Sequence, residues 1–179
     1  MRVLGIPVAT FVPIIGIAYT IILITLTVWW RPGWRRFGAL TVGTFAAALV
    51  GPLIEGVAHR AGFWRYTLDT DTLIGPLLFY PLGMLGFFVM GLIAWRIGRR
   101  WGMRGQVVYL ALITVTGPVR DYFEADRWFN VIRFGSGILP IVWDLFAWFA
   151  LLSIVIVVSE KIASPSRCQA DNANASSRS

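Results

Sequence analysis

Phe37-Gly38-Ala39-Leu40-Thr41-Val42-Gly43-Thr44-Phe45-Ala46-Ala47-Ala48-Leu49-Val50-Gly51-Pro52-Leu53-Ile54 carries no charged side chain. Such a run approaches the ~18 to 20 apolar residues that cross a ~30 Å hydrocarbon layer as a helix. Four more uncharged runs occupy residues 3–30, 72–95, 105–119 and 145–159. None shows the ten-residue alternation that a closed β-barrel would require, so helices are the spanning solution. The sequence therefore predicts an all-α, polytopic transmembrane helix bundle of about five spans over residues 1–160. A polar tail rich in Ser, Ala and Asn, residues 161–179, is expected to be disordered.

Composition agrees. Of 179 residues, 57% are hydrophobic and 14% charged, whereas a soluble domain carries roughly 25% charged residues. The net charge of +7 does not point to nucleic acid, because the arginines fall between apolar spans and not in a reading motif. They act as topology signals. Residues 31–36, 96–104 and the tail hold ten basic residues (Arg31, Arg35, Arg36, Arg96, Arg99, Arg100, Arg104, Lys161, Arg167, Arg178) against Glu160 and Asp171. The opposite side balances six arginines with six acids, leaving out Asp144 inside the fifth span. By the positive-inside rule the N-terminus is outside and the C-terminus in the cytoplasm of a cell-membrane protein. Trp29, Trp30, Trp34, Trp95 and Trp101 would anchor the inner interface, and Trp64 and Trp128 the outer one. One cysteine, Cys168, excludes an intrachain disulfide and a CxxC metal site. The first span is too long for a signal peptide and lacks an A-x-A cleavage pattern.

Span boundaries follow from Pro, Gly and charge. They are about Gly5 to Trp30, Phe37 to Ala58, Gly75-Pro76 to Trp95 with a kink expected at Pro81, the short span ending near Gly117-Pro118, and Gly137 to Val158 with Pro140 in its first turn. The segment from Arg96 to Arg104 is expected to be a basic loop. Gly43, Ala47, Gly51, Glu55 and His59 recur every four residues on the second span, a small-residue seam that leads to an acid and an imidazole. On this reading Gly51→Leu disrupts packing more than Val50→Leu.

Polar chemistry gathers on the outer side, where seven of nine acids lie. Asp69, Asp71, Glu124 and Asp126 read as solvated loop charges. Glu55, Asp121 and Asp144 remain as candidate catalytic acids, and their similar depth predicts one shared pocket that also holds Arg120. Asp144, inside an apolar helix, reads equally as a functional acid or as an ion-pair partner of Arg120, Arg127 or Arg133. His59, Arg65, Tyr66 and Arg120 are the candidate substrate-binding residues beside them. Glu55 and His59 have ligand-pair spacing, but with a single histidine no metal site is assigned, and no cofactor is implied. No phosphate loop, Ser-His-Asp order or nucleophile elbow is present. The partners expected are the bilayer itself and a lipid or isoprenoid ligand. A non-catalytic membrane subunit or small transporter, with the same polar groups as ion pairs, is the alternative.

Glu55-Gly56-Val57-Ala58-His59-Arg60-Ala61-Gly62-Phe63-Trp64-Arg65-Tyr66, followed by Ile74-Gly75-Pro76-Leu77-Leu78-Phe79-Tyr80-Pro81-Leu82, resembles a segment of small polytopic carotenoid-modifying proteins, the hydratases and lycopene cyclases. The resemblance implies that Glu55 is the acid at a helix end that donates a proton to a polyene double bond. The cyclases' paired glutamates after the proline are absent here, where Pro81 precedes Leu82-Gly83-Met84-Leu85-Gly86.

Overall fold

A computed structural model describes residues 2–3, 6–67, 79–123 and 132–164. Among them are four helices: α1 (Val8–Trp30), α2 (Trp34–Ala61), α3 (Phe79–Arg120) and α4 (Leu139–Ala163). All four are long and apolar enough to cross a membrane. The four strands are two or three residues each. β1 (Arg2–Val3) pairs antiparallel with β2 (Ile6–Pro7), and β3 (Trp64–Tyr66) with β4 (Ile132–Phe134).

Glycine decides the shape of α3. Gly102 has φ 65° and ψ −160°, a conformation with positive φ that costs a side-chain-bearing residue far more than glycine. The helix breaks there, and its two arms, residues 79–101 and 103–120, fold back on each other. Gln106 Nε2 donates to the Ala94 carbonyl at 3.5 Å, and Ala94 and Tyr109 share one core cluster. In an unbroken helix the latter pair would be about 22 Å apart. The basic loop expected over 96–104 is thus helical except at Gly102. The local reason is composition: Arg, Trp, Met and Ile are adequate helix formers, and one glycine suffices to reverse direction. Pro81 does not kink α3, because it stands in the first turn, where no backbone hydrogen bond is lost. The seam's far end also departs from expectation. At 3.6 residues per turn each step of four overshoots by about 40°, so Gly43, Ala47 and Gly51 are buried while Glu55 is half-buried and His59 exposed.

Two apolar clusters hold the bundle. Leu40, Phe88, Leu92 and Trp95 meet Leu23, Leu26 and Trp30 of α1, and Leu152 of α4 packs on Ala94 and Tyr109. Trp29, Trp34 and Trp101 are exposed at 75%, 90% and 60%, as interfacial anchors should be. Trp64 and Trp95, expected in the same role, are buried at 4% and 6%. Both are captured by charged groups: Arg36 and Arg99 stack on Trp95, and Trp64 binds Glu55. Arg36 also pairs with Glu160 at 2.9 Å, which accepts from Gln106 Nε2 at 3.3 Å, so a polar clasp joins α2, α3 and α4 at the basic end. α4 continues to Ala163, three residues into the segment expected to be tail. Gly75-Pro76, Asp69, Asp71, Glu124, Asp126, Arg127, Trp128, Cys168 and the tail from residue 165 lie outside the described residues.

The tight point of the seam is Gly43 and not Gly51. A Cβ at Gly43 would sit 2.7 Å from the Val155 carbonyl oxygen, whereas one at Gly51 meets nothing within 4 Å. Gly43→Ala is therefore expected to lower the melting temperature of the detergent-solubilised protein, at about 1–3 kcal/mol for a forced separation of α2 and α4. Gly51→Ala should be neutral. Equal melting temperatures for the two variants would contradict this packing.

Candidate functional site

The end of the bundle opposite the Arg36 clasp holds Glu55, Asp121 and Asp144. Glu55 lies nineteen residues after Arg36 on α2, about 28 Å along the axis. Helix α2 then stops at Gly62, whose φ of 71° lets its N–H reach the carbonyls of Ala58 and His59. The chain turns directly into β3. Alternation along this strand divides its side chains between two faces: Trp64 is buried, Arg65 exposed and Tyr66 half-buried. Trp64 Nε1 donates to Glu55 Oε2 at 2.8 Å, and the Tyr66 side chain also hydrogen-bonds this carboxylate. Arg65 is on the other face. Arg65 and Tyr66 thus project to opposite faces of the strand, although both border one groove.

Asp121 begins a short π-helical turn, residues 121–123, after α3. Arg120 Nη2 donates to Asp121 Oδ1 at 2.6 Å, and Trp148 Nε1 of α4 donates to Asp121 Oδ2 at 2.8 Å. The Arg120 guanidinium also lies over the Trp148 ring, 5.0 Å from its centroid. Trp148 can lie flat against α3 because residue 117 is glycine: a Cβ there would be 2.3 Å from the indole.

Asp144 is one turn above Trp148 on α4 and only 5% exposed. Its Oδ2 has no hydrogen-bond partner among the described residues. Glu55, Asp121 and Arg120 all lie within electrostatic reach of it, so three helices bring the three acids and one arginine together. Aromatic rings surround them: Trp143 donates to the Ile54 carbonyl at 3.3 Å and packs on Phe63, while Phe87 packs on Trp148. His59 is exposed on the last turn of α2 and does not join the group. Among the described residues no three His, Cys, Asp or Glu side chains are arranged to hold a metal ion.

Two contributors were not singled out from sequence, Trp64 as the donor to Glu55 and Gly117 as the seat of Trp148. A signal existed for the second. Gly117 and Asp121 are spaced i, i+4, as are Asp144 and Trp148, so each pair shares a helix face. No protein family, curated protein or solved structure matches the chain.

Proposed function

We propose that this is a five-span cell-membrane enzyme that modifies an unsaturated isoprenoid or similar lipid by acid-base chemistry at its outer end. The observation that carries the reading is the buried Oδ2 of Asp144, which has no hydrogen-bond partner among the described residues, beside two other carboxyls. Structural carboxylates are held by donors, as Glu55 is by Trp64 and Asp121 by Arg120 and Trp148. An acid in an apolar helix without such donors is a functional candidate. Asp144, carrying a proton, donates it to a carbon–carbon double bond. The resulting carbocation is stabilised by the neighbouring carboxylates and by the Trp143 ring. Addition of water with return of a proton to carboxylate gives hydration; loss of a proton without water gives isomerisation. The resemblance of residues 55–82 to carotenoid-modifying proteins supports an isoprenoid chain as substrate. Lipid extracts of cells carrying the wild-type chain, Asp144→Asn or neither are the test. A product that disappears with Asp144→Asn supports the enzyme.

The alternative is a non-catalytic subunit or transporter whose polar cluster is structural. The Arg120–Asp121 pair favours it, since an ion pair and a tryptophan bond fasten α3 to α4. Loss of folded protein in Asp144→Asn, with no lipid change on deleting the wild-type chain, would decide for this reading.

Five crossings follow if the two arms of α3 span separately. At about 1.5 Å per residue they reach about 34 and 27 Å, which suits a hydrocarbon layer of ~30 Å. The basic Arg36 end then faces the cytoplasm and the acids face outward. In intact cells, Cys168 and an Arg100→Cys variant are expected to resist an impermeant thiol reagent, while Asp69→Cys reacts. Labelling of position 100 from outside would reverse the orientation.

A further inference from the structure

At the basic end of the bundle the fold leaves several arginines without counter-charges. Among the described residues the only acid there is Glu160, and Arg36 holds it at 2.9 Å. Arg96 stands three residues before Arg99 and four before Arg100 near the end of the first arm of α3. It therefore neighbours both on the helix surface, with Cβ atoms about 5–6 Å apart, and like charges at this spacing repel. All three are exposed, and among the described residues none has a carboxylate partner. Exposed Arg104 joins them after the reversal at Gly102. The second arm starts close against the first because residue 105 is glycine: a Cβ there would be 2.7 Å from Trp101 Cβ and 3.0 Å from Ile97 Cγ2. Two of the guanidiniums are held by stacking, Arg99 over the Trp95 ring at 5.6 Å and Arg100 over the Trp101 ring at 5.2 Å. Stacking occupies the face of a guanidinium and leaves its in-plane N–H donors free. Trp101 and Met103, 60% and 79% exposed, border the cluster. Residues 165–179 add Arg167 and Arg178 against Asp171, so the chain after α4 brings no excess of anions.

We infer that the arginines at the tip of the α3 hairpin, Arg96, Arg99, Arg100 and Arg104, bind the phosphate of an anionic phospholipid in the leaflet that meets this end. Guanidinium edges match phosphate oxygens in pairs. A headgroup with net negative charge removes the repulsion within the cluster, whereas phosphatidylcholine brings a cation of its own. Trp101 and Met103 select a lipid over a soluble anion. Apolar side chains beside arginine suit the boundary between hydrocarbon and headgroups, and a soluble anion would leave them in water. Seated there, the headgroup braces the hairpin whose far end carries Gly117 and Arg120. The inference rests on both arms of α3 crossing the bilayer, which brings residues 99–104 to its surface. It is independent of the acid cluster and of which side is cytoplasmic.

The test places the full chain in phosphatidylcholine nanodiscs with or without phosphatidylglycerol. It reads the melting temperature, and the phosphatidylglycerol retained on extraction into detergent, counted by native mass spectrometry. The wild type should melt higher with phosphatidylglycerol, because a ligand that binds the folded state stabilises it. Arg96→Gln combined with Arg100→Gln should abolish that gain and weaken retention by about tenfold or more. Arg2→Gln combined with Arg60→Gln removes the same charge from the opposite end and should retain the lipid to within about twofold. In phosphatidylcholine alone, Arg96→Gln should melt no lower than the wild type, since Arg96 has no described partner to lose and two like-charge neighbours are relieved. Equal melting in both bilayers, undiminished retention in the Arg96/Arg100 variant, an equal loss in the Arg2/Arg60 variant, or the same gain from inorganic phosphate overturns the site. Arg100→Cys with Cys168→Ser, labelled by an impermeant thiol reagent in the nanodisc, tests the premise. A protected thiol refutes the two crossings and the lipid site together, whereas a reactive thiol without a lipid effect refutes the site alone.

Discussion

On the proposed acid-base function, Asp144→Asn is expected to yield folded, membrane-inserted protein that has lost product formation by about 10²- to 10⁴-fold, the range that a positioned general acid contributes. The substitution preserves shape and removes the transferable proton. Oδ2 engages no partner among the described residues, so the amide breaks no bond there, and Ala147, Trp148 and Leu152 pack unchanged beneath it. Asp121→Asn should behave differently. Asp121 accepts from Arg120 at 2.6 Å and from Trp148 at 2.8 Å, and hydrogen bonds to a charged partner contribute about 1.5–3 kcal/mol each. Its loss should lower the melting temperature as well as the yield. Detergent-solubilised melting curves and lipid extracts of the two variants separate the roles. If Asp144→Asn melts far below the wild type while Asp121→Asn does not, the assignment of a proton donor to Asp144 is wrong.

Gly117→Ala should destabilise the junction of α3 and α4 by about 1–3 kcal/mol, the usual result of adding a methyl to a filled space. The added Cβ would stand 2.3 Å from Trp148 Cδ2 and 2.5 Å from Cγ and Cε2. The indole has nowhere cheap to go, because Phe87 packs on it and the Arg120 guanidinium lies over it. Displacing it also draws Nε1 away from Asp121. In a Trp148→Ala background, which removes the clashing ring atoms together with the hydrogen bond to Asp121, Gly117→Ala should add little further loss of melting temperature. Activity in that background should remain low if Asp121 must be held in place. A Gly117→Ala protein as stable as the wild type would show that Trp148 does not occupy this seat.

Hydrophobic run length and the sparsity of charge determined by themselves that this chain is helical and built to cross a membrane. Those properties are additive along the sequence: each apolar residue contributes to partition whatever its neighbours become. Pro140 in the first turn of α4 was legible for the same local reason, since proline fixes its own φ and forgoes a hydrogen bond that the first turn lacks anyway. The acids were legible as candidates because a charge in an apolar helix is conspicuous, and the common depth of Glu55, Asp121 and Asp144 suggested that they meet. Tertiary structure decided which donors hold which acid. Trp64 faces inward and Arg65 outward only once β4 pairs with β3, which sets Arg65 opposite Arg133, sixty-eight residues away. A three-residue strand has too few positions for alternation to register in sequence. The reversal at Gly102, the contact of Gly117 with Trp148 and the tightness at Gly43 but not Gly51 likewise depend on which helix lies opposite. Sequence periodicity specifies a face, but the distance across that face belongs to two helices at once.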